Sequence, residues 1–293
     1  MIIALALVAA LLIGVGLVLQ QHAAQQAPTA YFLRLALITE LLRQRRWLAG
    51  LLIMAVGEIV SAWVLGHLTL SIAEPLLATD LLFALLLAVP LAGELLRKSE
   101  ILGAVLLAGG VGALSVSRSV RAQEVHVGSV AYWPAAAGIG LIALVLLHAG
   151  RRRSGSKRAT LTGAASGLVF GISDALTRST LQIVSQHGVR AVVVTWPAYA
   201  LAAASLVAVW LMESAFNAAP LHASLPAITA AEPVVGIILG VLVFGDVIRV
   251  SPETIALQAA GIVALVVGVV LVAQAPVLSG LRHHGERGAR HGR

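Results

Sequence analysis

The chain has no cysteine, few charged residues and few aromatic ones, and each shortage excludes a class of function. Without cysteine there are no disulfides, no thiolate metal sites and no cysteine nucleophile. Charged residues make up 11% of the 293 positions and hydrophobic residues 59%, with a mean hydropathy of +0.96. Soluble domains carry about 25% charged residues, so an ordinary soluble domain is excluded. Aromatic residues stand at 4%, too few for extended stacking surfaces. Catalytic signatures are missing as well: no G-x-G-x-x-G opens a helix after a strand, and H-E-x-x-H and G-x-S-x-G are absent. An enzyme is not expected.

What remains is a set of long apolar runs. Nine are read at about 2–20, 47–67, 70–92, 101–117, 129–148, 161–183, 191–212, 224–245 and 255–273. Runs of roughly twenty residues without strand alternation are helices that cross a bilayer, not barrel strands. Met1 to Leu19 lacks a basic n-region and is read as a retained helix, not a signal peptide. Residues 28–44 are a weaker run, interrupted by Arg34, Glu40 and Arg43, and suit an interfacial amphipathic helix better than a tenth span. The expected fold is an all-α polytopic membrane bundle of nine helices, or ten if 28–44 also crosses.

Basic loops give the orientation. In a nine-span arrangement, fifteen basic residues fall on one side and five on the other: Arg118, Arg121, Arg178, Arg190 and Arg249. The positive-inside rule then places the C-terminus in the cytoplasm and the N-terminus outside, in a cell membrane. The net charge of +7 needs no nucleic acid, because the basic residues lie in loops and the tail, beside lipid headgroups. His283, His284 and His291 belong to that Gly/Arg tail (276–293), read as disordered, solvated and cytoplasmic. A homodimer is compatible with the sequence.

The two halves, 1–127 and 128–275, resemble each other, with 129–148 as a linking helix. Gly14 and Gly16 in helix one match Gly171 and Ser173 in helix six. Glu74-Pro75 pairs with Glu232-Pro233 in one register, supported by Gly103 with Gly261 and Gly110 with Gly268. A second register pairs Pro75 with Pro226 and Glu94 with Asp246. Equivalent helices enter from opposite sides, so the repeat is inverted, the architecture of many carriers that bind solute near the midplane.

Four acids stand in the middle of apolar runs: Glu58, Asp80, Asp174 and Glu232. A carboxylate at the bilayer centre costs about 2.5–3.5 kcal/mol on insertion scales and marks a functional site by default. No Lys or Arg shares that depth, so the acids must hold protons or meet a cation. Each also has a structural reading as a hydrogen-bonded helix contact, and Asp174 could be neutralised by Arg178 one turn away. Pro233, beside Glu232, lacks an N–H and should open the helix there. Glu58, Asp80 and Glu232 are candidate ligands for magnesium, which wants oxygen and keeps several waters. Gly57 and Gly14 join the acids as candidate solute-binding positions, with Pro75, Pro226 and Pro233 as hinges. Glu74 and Pro75 also read as a helix cap.

The motifs resemble a known family. Trp47-Leu-Ala-Gly50, Met54-Ala-Val-Gly57-Glu58, Glu74-Pro75-Leu76, Leu91-Ala-Gly93-Glu94 and Gly103 are similar to the first half of NIPA-type magnesium transporters, within the drug/metabolite transporter superfamily with its EamA-like repeats. Ala215 to Pro220, Leu225-Pro226-Ala227, Glu232-Pro233 and Phe244-Gly245-Asp246 resemble bacterial EamA-like carriers. The resemblance covers roughly 1–275, and Asp246 stands where such carriers usually have Glu. It implies a membrane carrier working by alternating access, without a resident cofactor, with Mg2+ or H+ as candidate transported ions. By motif it points to Gly57, Glu58, Pro75, Glu94 and Pro226. Two rivals stay open: a proton-coupled exporter of an organic metabolite or drug, and a membrane scaffold with no transport of its own.

Overall fold

A computed structural model describes residues 2–65, 76–92, 98–116, 118–119, 132–244, 247–248 and 251–273. The described residues form helices α1 (Ile2–Gln26), α2 (Leu35–Leu41), α3 (Arg45–Leu65), α4 (Asp80–Ala92), α5 (Lys98–Val116) and α6 (Tyr132–Arg151). After these come α7 (Gly155–His187), α8 (Val189–Val194), α9 (Trp196–Ala218), α10 (Leu221–Leu242) and α11 (Pro252–Ala273). The sole pairing of extended chain among these residues joins β1 (Arg118–Ser119) to β2 (Val247–Ile248), antiparallel.

Among the described residues seven helices are long and apolar enough to cross a membrane: α1, α3, α6, α7, α9, α10 and α11. The 28–44 segment cannot do so. It folds as a three-residue turn of 3-10 helix and the seven-residue α2, which at 1.5 Å per residue spans about a third of a 30 Å hydrocarbon core. Leu37 and Leu41 of α2 are fully buried against the bundle, so the helix docks by one apolar edge. The bundle's outer surface is apolar, with Leu141, Leu144 and Val145 on α6 and Ile262, Val263 and Val266 on α11 all more than half exposed. A soluble monomer does not expose so much contiguous apolar surface; a lipid-facing one must.

Small residues set the helix packing. Gly16 of α1 and Gly50 of α3 face each other's carbonyls, and Gly57 of α3 sits against Ala9 and Ile13 of α1, so these helices run antiparallel. On α7, Gly163, Gly167 and Gly171 meet Ser224, Ile228 and Glu232 of α10 in ascending order, a parallel pair. On α5 and α11, Gly103 abuts Gly268 and Gly110 abuts Gly261, again antiparallel. Close backbone approach of this kind drives helix association where lipid removes the hydrophobic incentive.

One end of the bundle gathers several termini. Asn217, near the end of α9, bonds the carbonyls of Ala24 and Ala27 at the end of α1. Thr160, at the start of α7, bonds the carbonyl of Ala223 at the start of α10. The Arg158 guanidinium lies 4.7 Å from the Phe32 ring centroid, tying the α1–α2 connection to the start of α7. Thus α1 runs toward this end and α7 away from it. The same end carries exposed Arg34, Arg43, Arg45, Arg46, Arg151, Arg152, Arg153 and Lys157.

Candidate functional site

Glu58 lies on α3, Asp80 opens α4, Asp174 is on α7 and Glu232 on α10. Two come from the first half of the chain and two from the second. The Asp174 and Glu232 carboxyls lie within hydrogen-bonding reach of each other. Glu232 also lies within electrostatic reach of Asp80 and Glu58, and Glu58 within reach of Asp174. The four expected acids therefore converge. Each sits among the helices of the bundle, yet none is closed off: Glu58 and Asp174 are exposed and Asp80 and Glu232 half-buried. Intramembrane acids generally face the bundle interior or a water-filled cavity, and the accessible surface these four keep is compatible with the second.

Backbone geometry explains how these side chains are presented. Gly14 on α1 packs against the Asp80 carbonyl and Gly171 on α7 against the Glu232 carbonyl, so that a methyl group at either would stand only 2.9 or 2.7 Å from that oxygen. Both acids are thus displayed from a helix held tightly by a glycine of its neighbour. Gly57 packs into α1 and is buried, one residue from Glu58. Gly14 is buried in the same way. Both are close-packing positions between α1 and its neighbours.

Three local expectations change. Asp80 is not mid-helix: Ala78 and Thr79 form a turn, and α4 begins at Asp80, whose Oδ1 accepts a hydrogen bond from the Leu81 N–H. The carboxylate caps its own helix, where the dipole favours negative charge. Pro233 does not open α10, which continues from Leu221 to Leu242 through Pro226 and Pro233. Its effect is narrower, since each proline withholds one N–H from the helical ladder. Asp174 turns to Glu232, while the Arg178 guanidinium lies 4.3 Å from the Phe244 ring centroid.

Among the described residues no group of three or more His, Cys, Asp or Glu is arranged to hold a metal ion. Glu58, Asp80 and Glu232 lie on three separate helices. Pro75, Glu74, Glu94, Asp246 and the tail histidines lie outside the described residues.

A fifth acid escaped the sequence reading. Glu213, near the end of α9, is fully buried, and its Oε1 accepts a 2.9 Å hydrogen bond from the Trp47 indole Nε1 of α3. It was overlooked because the apolar run was ended at residue 212, whereas α9 continues to Ala218. The signal was present in Met212-Glu213 followed by Asn217 one turn on, the period of a buried polar stripe.

Comparison with known proteins adds one relative and no function. No family model matches the chain, and no solved structure matches it. An uncharacterised protein of Corynebacterium glutamicum is 29% identical over 269 residues, covering 89% of this chain and 91% of the relative. The likeness thus extends over nearly the whole bundle in both proteins.

Proposed function

We propose that the chain is a carrier of the drug/metabolite transporter type that moves a small cationic solute through the four-acid cavity, exchanging it for a proton. The observation that carries this reading is the convergence of Glu58 and Asp80 from one half with Asp174 and Glu232 from the other. Four carboxyls in an apolar bundle select for positive charge. An ionised carboxylate can only accept hydrogen bonds. The bond between Asp174 and Glu232 therefore needs a proton on one of them, and a cation entering beside them is a natural replacement for it.

The packing supports an inverted repeat as the moving framework. If α1, α3, α4 and α5 correspond to α7, α9, α10 and α11, then Gly14 on Asp80 corresponds to Gly171 on Glu232, and Gly103 on Gly268 to Gly261 on Gly110. Nine spans follow if α4 and α5 also cross, with the arginine-rich end facing the cytoplasm of the cell. Alternating access is then a rocking of one half against the other around the acids. Magnesium is the first candidate solute: it keeps most of its waters and needs only one or two carboxylates at a time, which suits acids spread around a cavity. The resemblance to NIPA-type transporters points the same way. Export of an organic cation in exchange for protons is the second reading, favoured by the proton between Asp174 and Glu232.

Proteoliposomes decide between them. Saturable magnesium uptake that dissipates a pH gradient and disappears in Glu58→Gln is the expected result. Flux of an organic cation without magnesium transport selects the second reading. Absence of any solute-dependent proton movement removes both and leaves a scaffold role.

A further inference from the structure

Away from the acid-lined cavity, five polar side chains are sealed in the seam between α1, α3 and α9: Gln20, Gln21, Trp47, Glu213 and Asn217. All are nine-tenths or more buried. Asn217 faces α1, its Nδ2 donating to the carbonyls of Ala24 at 2.8 Å and Ala27 at 3.0 Å. Glu213 lies one turn before Asn217 on the same face, and Gln20 one turn before Ala24. The Gln20 Cγ approaches to 3.2 Å the Cβ position of Gly50, one turn from Trp47 on α3. Trp47 in turn bonds Glu213. The contacts bring Gln20, Glu213 and Asn217 to neighbouring levels of one seam.

Each of those three leaves an oxygen without a hydrogen-bond partner among the described residues: Gln20 Oε1, Glu213 Oε2 and Asn217 Oδ1. Gln21 also leaves its amide nitrogen unpartnered. Orphan buried acceptors are costly because they give up water without a replacement donor, so three together call for an occupant. The surroundings specify its charge. When ionised, the one carboxyl contributes a single negative charge, and α1 and α9 both end here, at Gln26 and Ala218. Helix C-termini carry partial negative charge and favour cations. Discontinuous and terminal helix ends hold coupling ions in other carriers by the same physics.

We propose that Glu213, Gln20 and Asn217 bind a small, dehydrated monovalent cation of the size of sodium, at a site separate from the four-acid cavity. Because Gln20 belongs to the first half and Glu213 and Asn217 to the second, an ion here fastens the two halves together at the arginine-rich end.

The test needs no transport and so stands apart from the carrier reading. The purified full-length protein is unfolded thermally in sodium chloride and in choline chloride at equal ionic strength and fixed pH. The expected result is a saturable rise in unfolding temperature with sodium alone. Half-saturation should move at least tenfold higher in Glu213→Gln and in Gln20→Met, which remove a charge and an oxygen while keeping volume. Equal stability of the unmodified protein in the two salts overturns the site and leaves ordered water as the occupant. Sodium stabilisation that persists unchanged in Gln20→Met overturns it as well, even if Glu213→Gln fails to fold.

Discussion

Gly14 of α1 lies so close to the Asp80 carbonyl that a methyl group at Gly14 would stand 2.9 Å from that oxygen and 3.0 Å from the Ala84 nitrogen. Gly171 of α7 stands in the same relation to Glu232, at 2.7 Å. Both crowding atoms are backbone, so neither can swing aside. Gly14→Ala and Gly171→Ala should each destabilise the protein by about 1–3 kcal/mol, the usual cost of overpacking, and displace an acid of the cavity. Gly109 is the control. Nothing lies within 4 Å of its Cβ position, so Gly109→Ala should be neutral or stabilising, by up to about 1 kcal/mol from helix propensity. Unfolding temperatures in one detergent check all three, and equal losses at Gly109 and Gly14 would count against the packing described.

If the proposed repeat holds, the same glycine contacts bear on its register, for which the sequence offered two conflicting alignments. Across α4 and α10 the glycine contacts match Asp80 with Glu232, and Pro226 stands six residues before Glu232 as Pro75 stands five before Asp80. The pairing of Glu74-Pro75 with Glu232-Pro233 does not agree with these contacts. Across α5 and α11 the other register applies, matching Gly103 with Gly261 and Gly110 with Gly268. The two offsets differ because the connection after α10 is longer than that after α4. Periodicity and isolated acids made the helices and the four carboxyls legible. Loop lengths between repeats and the tilt that buries Glu213 are decided by packing partners that no single apolar run displays.

The hydrogen-bonded acids make a prediction about coupling between sites. Asp174→Asn and Glu232→Gln each keep a donor and an acceptor in place but remove one titratable group. If the two carboxyls act as one unit, either change alone should abolish proton-coupled flux, and the double variant should lose no more than the worse single one. Contacting residues commonly deviate from additivity by 0.5–3 kcal/mol. Independent, multiplicative losses in flux would show that the two acids serve separate steps.

Trp47 and Glu213 allow a stability test that is independent of transport. Trp47→Phe removes the indole N–H and leaves the Glu213 Oε1 buried without its donor, at a cost of about 1–3 kcal/mol. Replacing both partners with apolar residues removes the orphan along with the bond. Trp47→Phe with Glu213→Leu should therefore recover much of what Trp47→Phe loses, measured by thermal unfolding in the absence of sodium. A double variant less stable than the sum of the singles would mean that the carboxyl has a further partner in the seam.

The missing cysteines turn into an experimental advantage, because single-cysteine labelling needs no prior removal of native thiols. Ser154 is exposed at the arginine-rich end, between Arg153 and the start of α7, and Gly188 is exposed between α7 and α8, at the far end of that helix. If the arginine-rich end is cytoplasmic, a membrane-impermeant maleimide added to intact cells should label Gly188→Cys and spare Ser154→Cys until the membrane is opened. The cavity can be read in the same way. At the arginine-rich end the seam is closed by Trp47 on Glu213, by Asn217 on Ala24 and by the Trp210 indole reaching the Arg34 carbonyl at 3.4 Å. If those contacts close the proposed cavity at that end, it opens toward the opposite face. Glu58→Cys should then be labelled from outside in intact cells, and a solute that binds between the acids should slow that labelling. Reaction of Glu58→Cys only after the membrane is breached, with Gly188→Cys still labelled from outside, would mean that the cavity faces the cytoplasm and that the closed seam is not its gate.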